Sequence, residues 1–280
     1  MVFFSNSEIE AWINEDAPLV DLTSHLLGIS AQPATLTVRA RQPVCVALTE
    51  EAGRLFTMLG AEVSLLAPSG CRLDKGETLL SVRGPADALH RGWKVAMNLL
   101  EHACGVATRT AEMVDKARLA ANIPLLITRK HLPGVKKILV KSILAGGAVP
   151  HRLGLSETIL IFENHLNVLG GRERLPELIA GMRAAACGKK IMVECDTLAQ
   201  ALQAIEAGAY GIQFDKASPA QLMDWCEQIE ACSPAVAVLA AGGIRPDNVE
   251  DYALSGVHGL VLSSVYHAPP ADLEVRIVAL

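Results

Sequence analysis

From Leu125 onward six polar clusters punctuate the chain, each after a run rich in aliphatic residues: Arg129-Lys130, Glu163, Glu194, Asp215, Gly242-Gly243 and Ser263-Ser264, while His151-Arg152 follow the Gly146-Gly147 turn. Apolar runs bounded this way predict buried strands whose polar residues fall at strand ends. The residue types suit anion chemistry. From Lys116 to Ser156 there is no Asp or Glu, while Lys116, Arg118, Arg129, Lys130, Lys136, Lys137, Lys141 and Arg152 lie inside. In a chain of formal net charge −5, that local excess calls for an anionic ligand. Helix spacing would point Lys136, Lys137 and Lys141 to water. Arg129, Lys130 and Arg152 then remain as the ligand-facing cations, at strand ends or beside the Gly146-Gly147 turn.

Gly242-Gly243-Ile244 follows an apolar strand and precedes Arg245-Pro246-Asp247-Asn248, a helix-start pattern. Exposed backbone donors ahead of a helix can cradle a phosphate, and Ser263-Ser264 after the next strand offers neighbouring donors. Glu194 and Asp215 end two consecutive strands and should face the same mouth, where Mg²⁺ or sugar hydroxyls would give them a role. Asp196, ahead of Thr197, reads instead as a helix cap. His151 and His165 lack a third ligand at zinc spacing.

These side chains need a scaffold that brings strand ends together. Strand patterns near 125–129, 158–163, 190–195, 211–215, 236–241 and 259–263 alternate with helical ones, which predicts βα units in a parallel arrangement. Six strands are fewer than the eight of a closed barrel, so an open α/β barrel over 113–268 is expected. Ahead of it, a capped helix over 6–15 with Ser7 at its start is interrupted at Asp21-Leu22-Thr23-Ser24. Strands at 34–40, 44–48, 62–66 and 78–82 and a helix over 50–59 make a smaller α/β domain over 1–112, with turns at Pro68-Ser69-Gly70 and Gly84-Pro85. Helices from Ala86 to about Asn122, broken at Gly105, bridge the two. The tail 269–280 alternates like an edge strand returning to the first domain. With 51% hydrophobic residues the chain can bury a large core, and no apolar run nears the ~18 residues of a membrane span. Seven cysteines without a C-x-x-C pair read as reduced and cytoplasmic, and the overall acidity argues against a nucleic-acid platform.

The motifs also carry a resemblance. Thr128-Arg129-Lys130, Pro133-Gly134, Gly146-Gly147, His151-Arg152-x-Gly154-Leu155, Leu160-Ile161-x-x-Asn164-His165, Glu194-x-Asp196-Thr197-Leu198, Asp215 and Gly242-Gly243-Ile244 resemble, in order, those of quinolinate phosphoribosyltransferase, also called nicotinate-nucleotide pyrophosphorylase. Asn98-Leu99-Leu100 with Gly105-Val106-Ala107-Thr108 is similar to that family's preceding helix. The resemblance implies an N-terminal α/β sandwich domain, an open α/β barrel, and a homodimer in which one subunit's N-terminal domain closes the other's site. It implies phosphoribosyl diphosphate (PRPP) as co-substrate with Mg²⁺. Carried over by position, Arg129, Lys130, His151 and Arg152 would meet substrate carboxylates and PRPP, and Lys130 would belong to the catalytic set. Glu194 and Asp215 would meet ribose hydroxyls and Mg²⁺, and Gly242, Gly243, Ser263 and Ser264 the 5′-phosphate.

Departures lie on the acid-binding side. Phe162 stands where the family has Lys, Glu163 where it has Asp, Ile127 where it has Asp, Pro150 where it has Asn, Ala240 where it has Glu, and Lys94 where it has a substrate-binding Arg. Lys is no equal of a guanidinium gripping a carboxylate in two hydrogen bonds. The pattern is similar to the pyrophosphorylase-like branch associated with bacterial molybdate transport. It implies a phosphoribosyltransferase acting on a nitrogen-heterocycle acid other than quinolinate. The other reading is a non-catalytic phosphate or oxyanion binder of molybdenum handling on the same scaffold.

Overall fold

The computed structural model describes residues 2–280 and divides the chain into two compact units. In chain order the first elements are α1 (Asn6–Asp16), α2 (Leu22–Leu26), β1 (Pro33–Ala40), β2 (Val44–Cys45), α3 (Thr49–Met58), β3 (Glu62–Leu66), β4 (Arg72–Leu73), β5 (Thr78–Pro85) and α4 (Ala86–Ala121). There follow β6 (Leu125–Ile127), α5 (Lys136–Ala145), β7 (Val149–Pro150), β8 (Ile159–Ile161), α6 (Glu163–Leu169), α7 (Leu175–Met182), β9 (Ile191–Cys195) and α8 (Leu198–Glu206). The chain ends with β10 (Gly211–Asp215), α9 (Pro219–Cys232), β11 (Ala237–Ala241), α10 (Val249–Ala253), β12 (Gly259–Leu262) and β13 (Leu273–Ala279).

The first unit comprises the chain up to Ala111, His131–Gly147 and Val265–Leu280. Its main sheet runs β13-β1-β5-β3, all antiparallel, and the returning tail pairs with β1 from Ala34↔Ala279 to Ala40↔Leu273. Alternation along β1 buries Leu36, Val38 and Ala40 in a core shared with Leu55, Phe56, Leu80, Leu89 and Leu100. Ser5, not Ser7, caps α1, through a capping box with Glu8, and Asp21 starts α2 by accepting from Thr23 and Ser24. The Gly84-Pro85 turn is instead the end of β5, and only Val44–Cys45 of the 44–48 run is strand.

Helix α4 is continuous through Gly105. A Cβ there would collide with the backbone carbonyl of Pro269, and Ala271 N–H donates to Glu101 O (2.8 Å). Glycine thus admits the returning tail against the helix and does not break it. Helix α5 belongs with this unit rather than with the barrel residues 113–268 expected from sequence. Ile138 and Ala145 pack on the first core, Ala145 O accepts from Cys45 Sγ, and a Gly146 Cβ would strike Thr110 and Ala107. Lys141, expected on a solvated face, is buried between Glu50 (2.9 Å) and Glu51 (2.5 Å), and Lys137 pairs with Glu8.

The second unit comprises Glu112–Lys130 and Ala148–Ser264. Its seven parallel strands run β7-β6-β12-β11-β10-β9-β8. Strands β7 and β8 terminate the order without pairing to each other, so this is an open α/β barrel. The seventh strand, β7, is too short to show periodicity; His151 N–H extends it by donating to Ile127 O (2.9 Å). Among the described residues no helix is long and apolar enough to cross a membrane, and all seven cysteines are free thiols.

Candidate active site

Because all seven strands point the same way, their carboxyl ends share one edge, and the polar clusters found in the sequence sit there. Arg129 and Lys130 follow β6, His151 and Arg152 follow β7, and Phe162 and Glu163 follow β8. Glu194 lies near the end of β9, Asp215 ends β10, Gly242-Gly243 follow β11 and Ser263-Ser264 follow β12. A parallel sheet of seven strands twists as it extends and here ends open at β7 and β8, so it curls into a half-barrel whose carboxyl ends line one mouth. Lys130, after β6, counts among the charges that act on Glu194 in β9.

One side of this mouth is cationic. Burial, then Arg152 and Arg129, push His151 below its ordinary value, so its imidazole favours the neutral form; burial and Arg129 lower Arg152 in turn. Arg129, Lys130, His151 and Arg152 have no carboxylate within ion-pair distance among the described residues. Three cations held together without a counter-ion repel one another, and a bound anion relieves that.

The other side is acidic. Gln213 and Glu194 are register partners on β10 and β9, and Asp215, two residues on, shares their face. Gln213 Nε2 donates to Glu194 Oε2 (2.9 Å). Burial, then Asp215, raise the Glu194 carboxyl, and the Gln213 hydrogen bond and Lys130 oppose them. The guanidinium of Arg172, in a short 3₁₀ turn, donates to Glu194 O (3.3 Å) and reaches Cys195 Sγ (3.7 Å), which fixes the backbone here. Among the described residues no group of three or more His, Cys, Asp or Glu side chains could hold a metal unaided. Burial and the neighbouring Asp215 raise the affinity of Glu194 for positive charge, and such a pair of carboxylates fits a hard cation shared with a substrate's phosphates, as Mg²⁺ commonly is.

Between the two sides lies the Gly242-Gly243 turn. Both glycines have positive φ (83° and 73°), and a Cβ on Gly242 would lie 2.6 Å from Asp215 Oδ1 and 2.7 Å from Lys216 Cγ. The turn does not lead straight into a helix as the sequence suggested. α10 begins only at Val249, and Asn248 ties the loop by accepting from Arg245 N–H (2.7 Å) and donating to Gly243 O (3.0 Å). Among the described residues the N–H groups of Gly242, Gly243 and Ile244 meet no acceptor, leaving three consecutive donors for an anion. The Ser264 hydroxyl is committed to Ile244 O (2.9 Å), so it braces this loop; Ser263 carries no such commitment. Thr197, not Asp196, caps α8.

Residues 106–276 match the C-terminal domain of quinolinate phosphoribosyl transferase, and residues 21–104 match its N-terminal domain. The chain belongs to the quinolinate phosphoribosyl transferase family. It is 34% identical to ModD of Pasteurella multocida, covering 99% of each chain, and 38% identical to ModD of Rhodobacter capsulatus, covering 89% of this chain and 95% of the relative. Identity to the human carboxylating nicotinate-nucleotide pyrophosphorylase is 32%, covering 97% of this chain and 91% of that one. The nicotinate-nucleotide pyrophosphorylase of Francisella tularensis superposes with a TM-score of 0.89 over 99% of this chain and 98% of that one, at 21% identity, which establishes the common fold.

Two residues of this candidate site escaped the sequence. Gln213 sits two residues before Asp215 in an otherwise apolar strand, a spacing that puts both on one face, and that signal was available. Arg172 acts through backbone contacts that no spacing reveals. Phe162 is half-buried, edge-on to His165 with ring centroids 4.1 Å apart, and its N–H donates to His165 Nδ1. It is not a core residue. Lys94 belongs to the first unit, exposed on α4 with its ammonium 5.7 Å from the Trp93 ring centre.

Proposed function

We propose that this protein is a PRPP-dependent phosphoribosyltransferase acting on a nitrogen-heterocycle acid other than quinolinate, and that it serves molybdate transport. What carries the reading is the uncompensated cation group of Arg129, Lys130 and Arg152, facing two carboxylates across one mouth with three free backbone N–H groups between them. The free N–H groups of Gly242, Gly243 and Ile244, with Ser263, take the 5′-phosphate. Glu194 and Asp215 hold the ribose hydroxyls and counter the positive charge that develops on the sugar ring as the C1–O bond to diphosphate breaks and the acceptor nitrogen bonds to C1. Lys130, Arg129 and Arg152 hold the diphosphate as its negative charge grows. Neutral His151 orients the acceptor as a hydrogen-bonding group without adding charge. Mg²⁺ bound by Glu194, Asp215 and the diphosphate oxygens would supply further positive charge to the leaving group.

Phe162 sets the acceptor class. A dianionic acid beside this ring loses hydration without gaining a donor, which costs several kcal/mol, and a flatter, less charged acid is favoured. The protein works as a homodimer whose Lys94 reaches the partner's site. The test is calorimetry with PRPP, then a diphosphate-release screen over heteroaromatic acids, with quinolinate run on wild type, Phe162→Lys, and Phe162→Lys with Lys94→Arg. PRPP binding without release for any acceptor would make the protein a binder, and efficient quinolinate turnover by wild type would refute the specificity. A folded monomer in dilute light scattering would refute the shared site.

A further inference from the structure

Lys216 occupies a position where lysine is unexpected. It follows Asp215 at the mouth of the second unit with φ +60°, the left-handed region that Gly, Asn and Asp adopt most readily. Its backbone is held there by the bond from its N–H to Ala241 O (2.7 Å), which bridges the ends of β10 and β11. Gly or Asn would make the same turn at less backbone cost, so the lysine at this place draws attention to its side chain.

That side chain lies where two functions meet. Its Cγ lies 2.7 Å from where a Gly242 Cβ would stand, at the start of the turn whose Gly242, Gly243 and Ile244 N–H groups are free. Its ammonium rests 3.5 Å from Asp215 Oδ2. The lysine side chain is 81% exposed against 31% for Asp215, so the pair is weak and the ammonium is free to move. A flexible stem anchored over the glycine turn lets it reach an anion seated there without backbone motion.

We propose that Lys216 is a transferable counter-ion: it rests on Asp215 in the free protein and moves to the phosphate ester bound at the Gly242-Gly243 turn, freeing Asp215 for the sugar and its cation. Phosphate binding thereby prepares the carboxylate, and the site favours ligands carrying a phosphate beside a diol. The idea rests on the phosphoribosyl reading above and deepens it.

The experiment is calorimetry of the full chain with inorganic phosphate, ribose 5-phosphate and Mg²⁺, on wild type and on Lys216→Met, Lys216→Arg and Lys216→Asn. Asn tolerates the left-handed backbone while removing the ammonium, which keeps the test valid if Met perturbs the loop. The Met and Asn variants should bind both phosphate ligands about tenfold more weakly, the low end for a lost charge-assisted contact because the group is exposed. Their affinity should also fall less steeply with salt. Mg²⁺ alone should bind them more tightly than wild type, since Asp215 has lost its neighbour. Arg should bind the phosphates much as wild type does. Unchanged ribose 5-phosphate affinity in Met and Asn, with wild-type binding intact, would overturn the role of Lys216 and leave the phosphoribosyl reading standing. Wild type that binds inorganic phosphate but not ribose 5-phosphate would overturn that reading and this inference with it.

Discussion

Replacing Lys141 with Met should be among the most damaging single changes outside the active site. Lys141 and Glu51 are 8% and 4% exposed, and Lys141 Nζ is held 2.5 Å from Glu51 Oε2 and 2.9 Å from Glu50 Oε2. Met fills the space but leaves Glu51 buried without its cation, and removing one partner of a buried pair costs about 3–5 kcal/mol. Glu50 adds little to that figure. Its side chain is 35% exposed, and it keeps the Ser69 N–H (2.8 Å) and hydroxyl (2.6 Å). For a chain of this size the loss corresponds to a fall in Tm of roughly 6–20 °C. The pH dependence carries a second signature. Burial raises the Glu50 carboxyl, but the Lys141 and Ser69 hydrogen bonds outweigh it and bring the group from 4.5 to about 2. A depressed folded-state pKa contributes stability that is present above 4.5 and lost as pH falls through about 2. Without Lys141 the depression shrinks, so the Met variant should lose less stability than wild type between pH 4.5 and 2. Urea unfolding at pH 7 and across that window measures both. A variant within about 1 kcal/mol of wild type at pH 7, with an unchanged acid limb, would show that this cluster does not hold α5 in place.

Three further outcomes are expected. Arg152→Ala should raise the His151 titration midpoint seen by NMR, short of its ordinary value because burial is the larger cause of its depression; an unmoved midpoint would place Arg152 away from the ring. Gln213→Met should leave stability unchanged or higher, since Gln213 Oε1 is buried without a partner and such a group costs about 1–3 kcal/mol. It should nonetheless weaken ribose 5-phosphate binding, and have no further effect in a Glu194→Gln background; additive losses would mean that Gln213 does not act through Glu194. Gly105→Ala should lower Tm by many degrees as the returning tail is pushed off α4, whereas Gly181→Ala, with open space at its Cβ, should be near neutral; equal effects would contradict the close approach of Pro269.

Much of the fold and site could be read directly from the residues. Parallel βα units carry their polar residues at one end of each strand, so Arg129-Lys130, Glu194, Asp215 and Gly242-Gly243 announced a common edge, whereas the short strand that brings His151-Arg152 to it left no signal. The alternation of Leu273–Ala279 likewise announced its return to the first sheet. Local chemistry sufficed because period, polarity and turn residues are properties of a few neighbours. What tertiary structure decided depends on partners far apart in sequence. Lys141 turned inward because two glutamates about 90 residues earlier meet it, against the helix spacing that points to water. Gly105 stayed helical because a carbonyl from residue 269 needs the space, and α5 left the barrel because its apolar face fits the first core. Ser264 became a brace instead of a free donor because Ile244 O lies within reach. Gln213 joined the site because strand register sets it opposite Glu194, a pairing that exists only once β9 and β10 lie side by side.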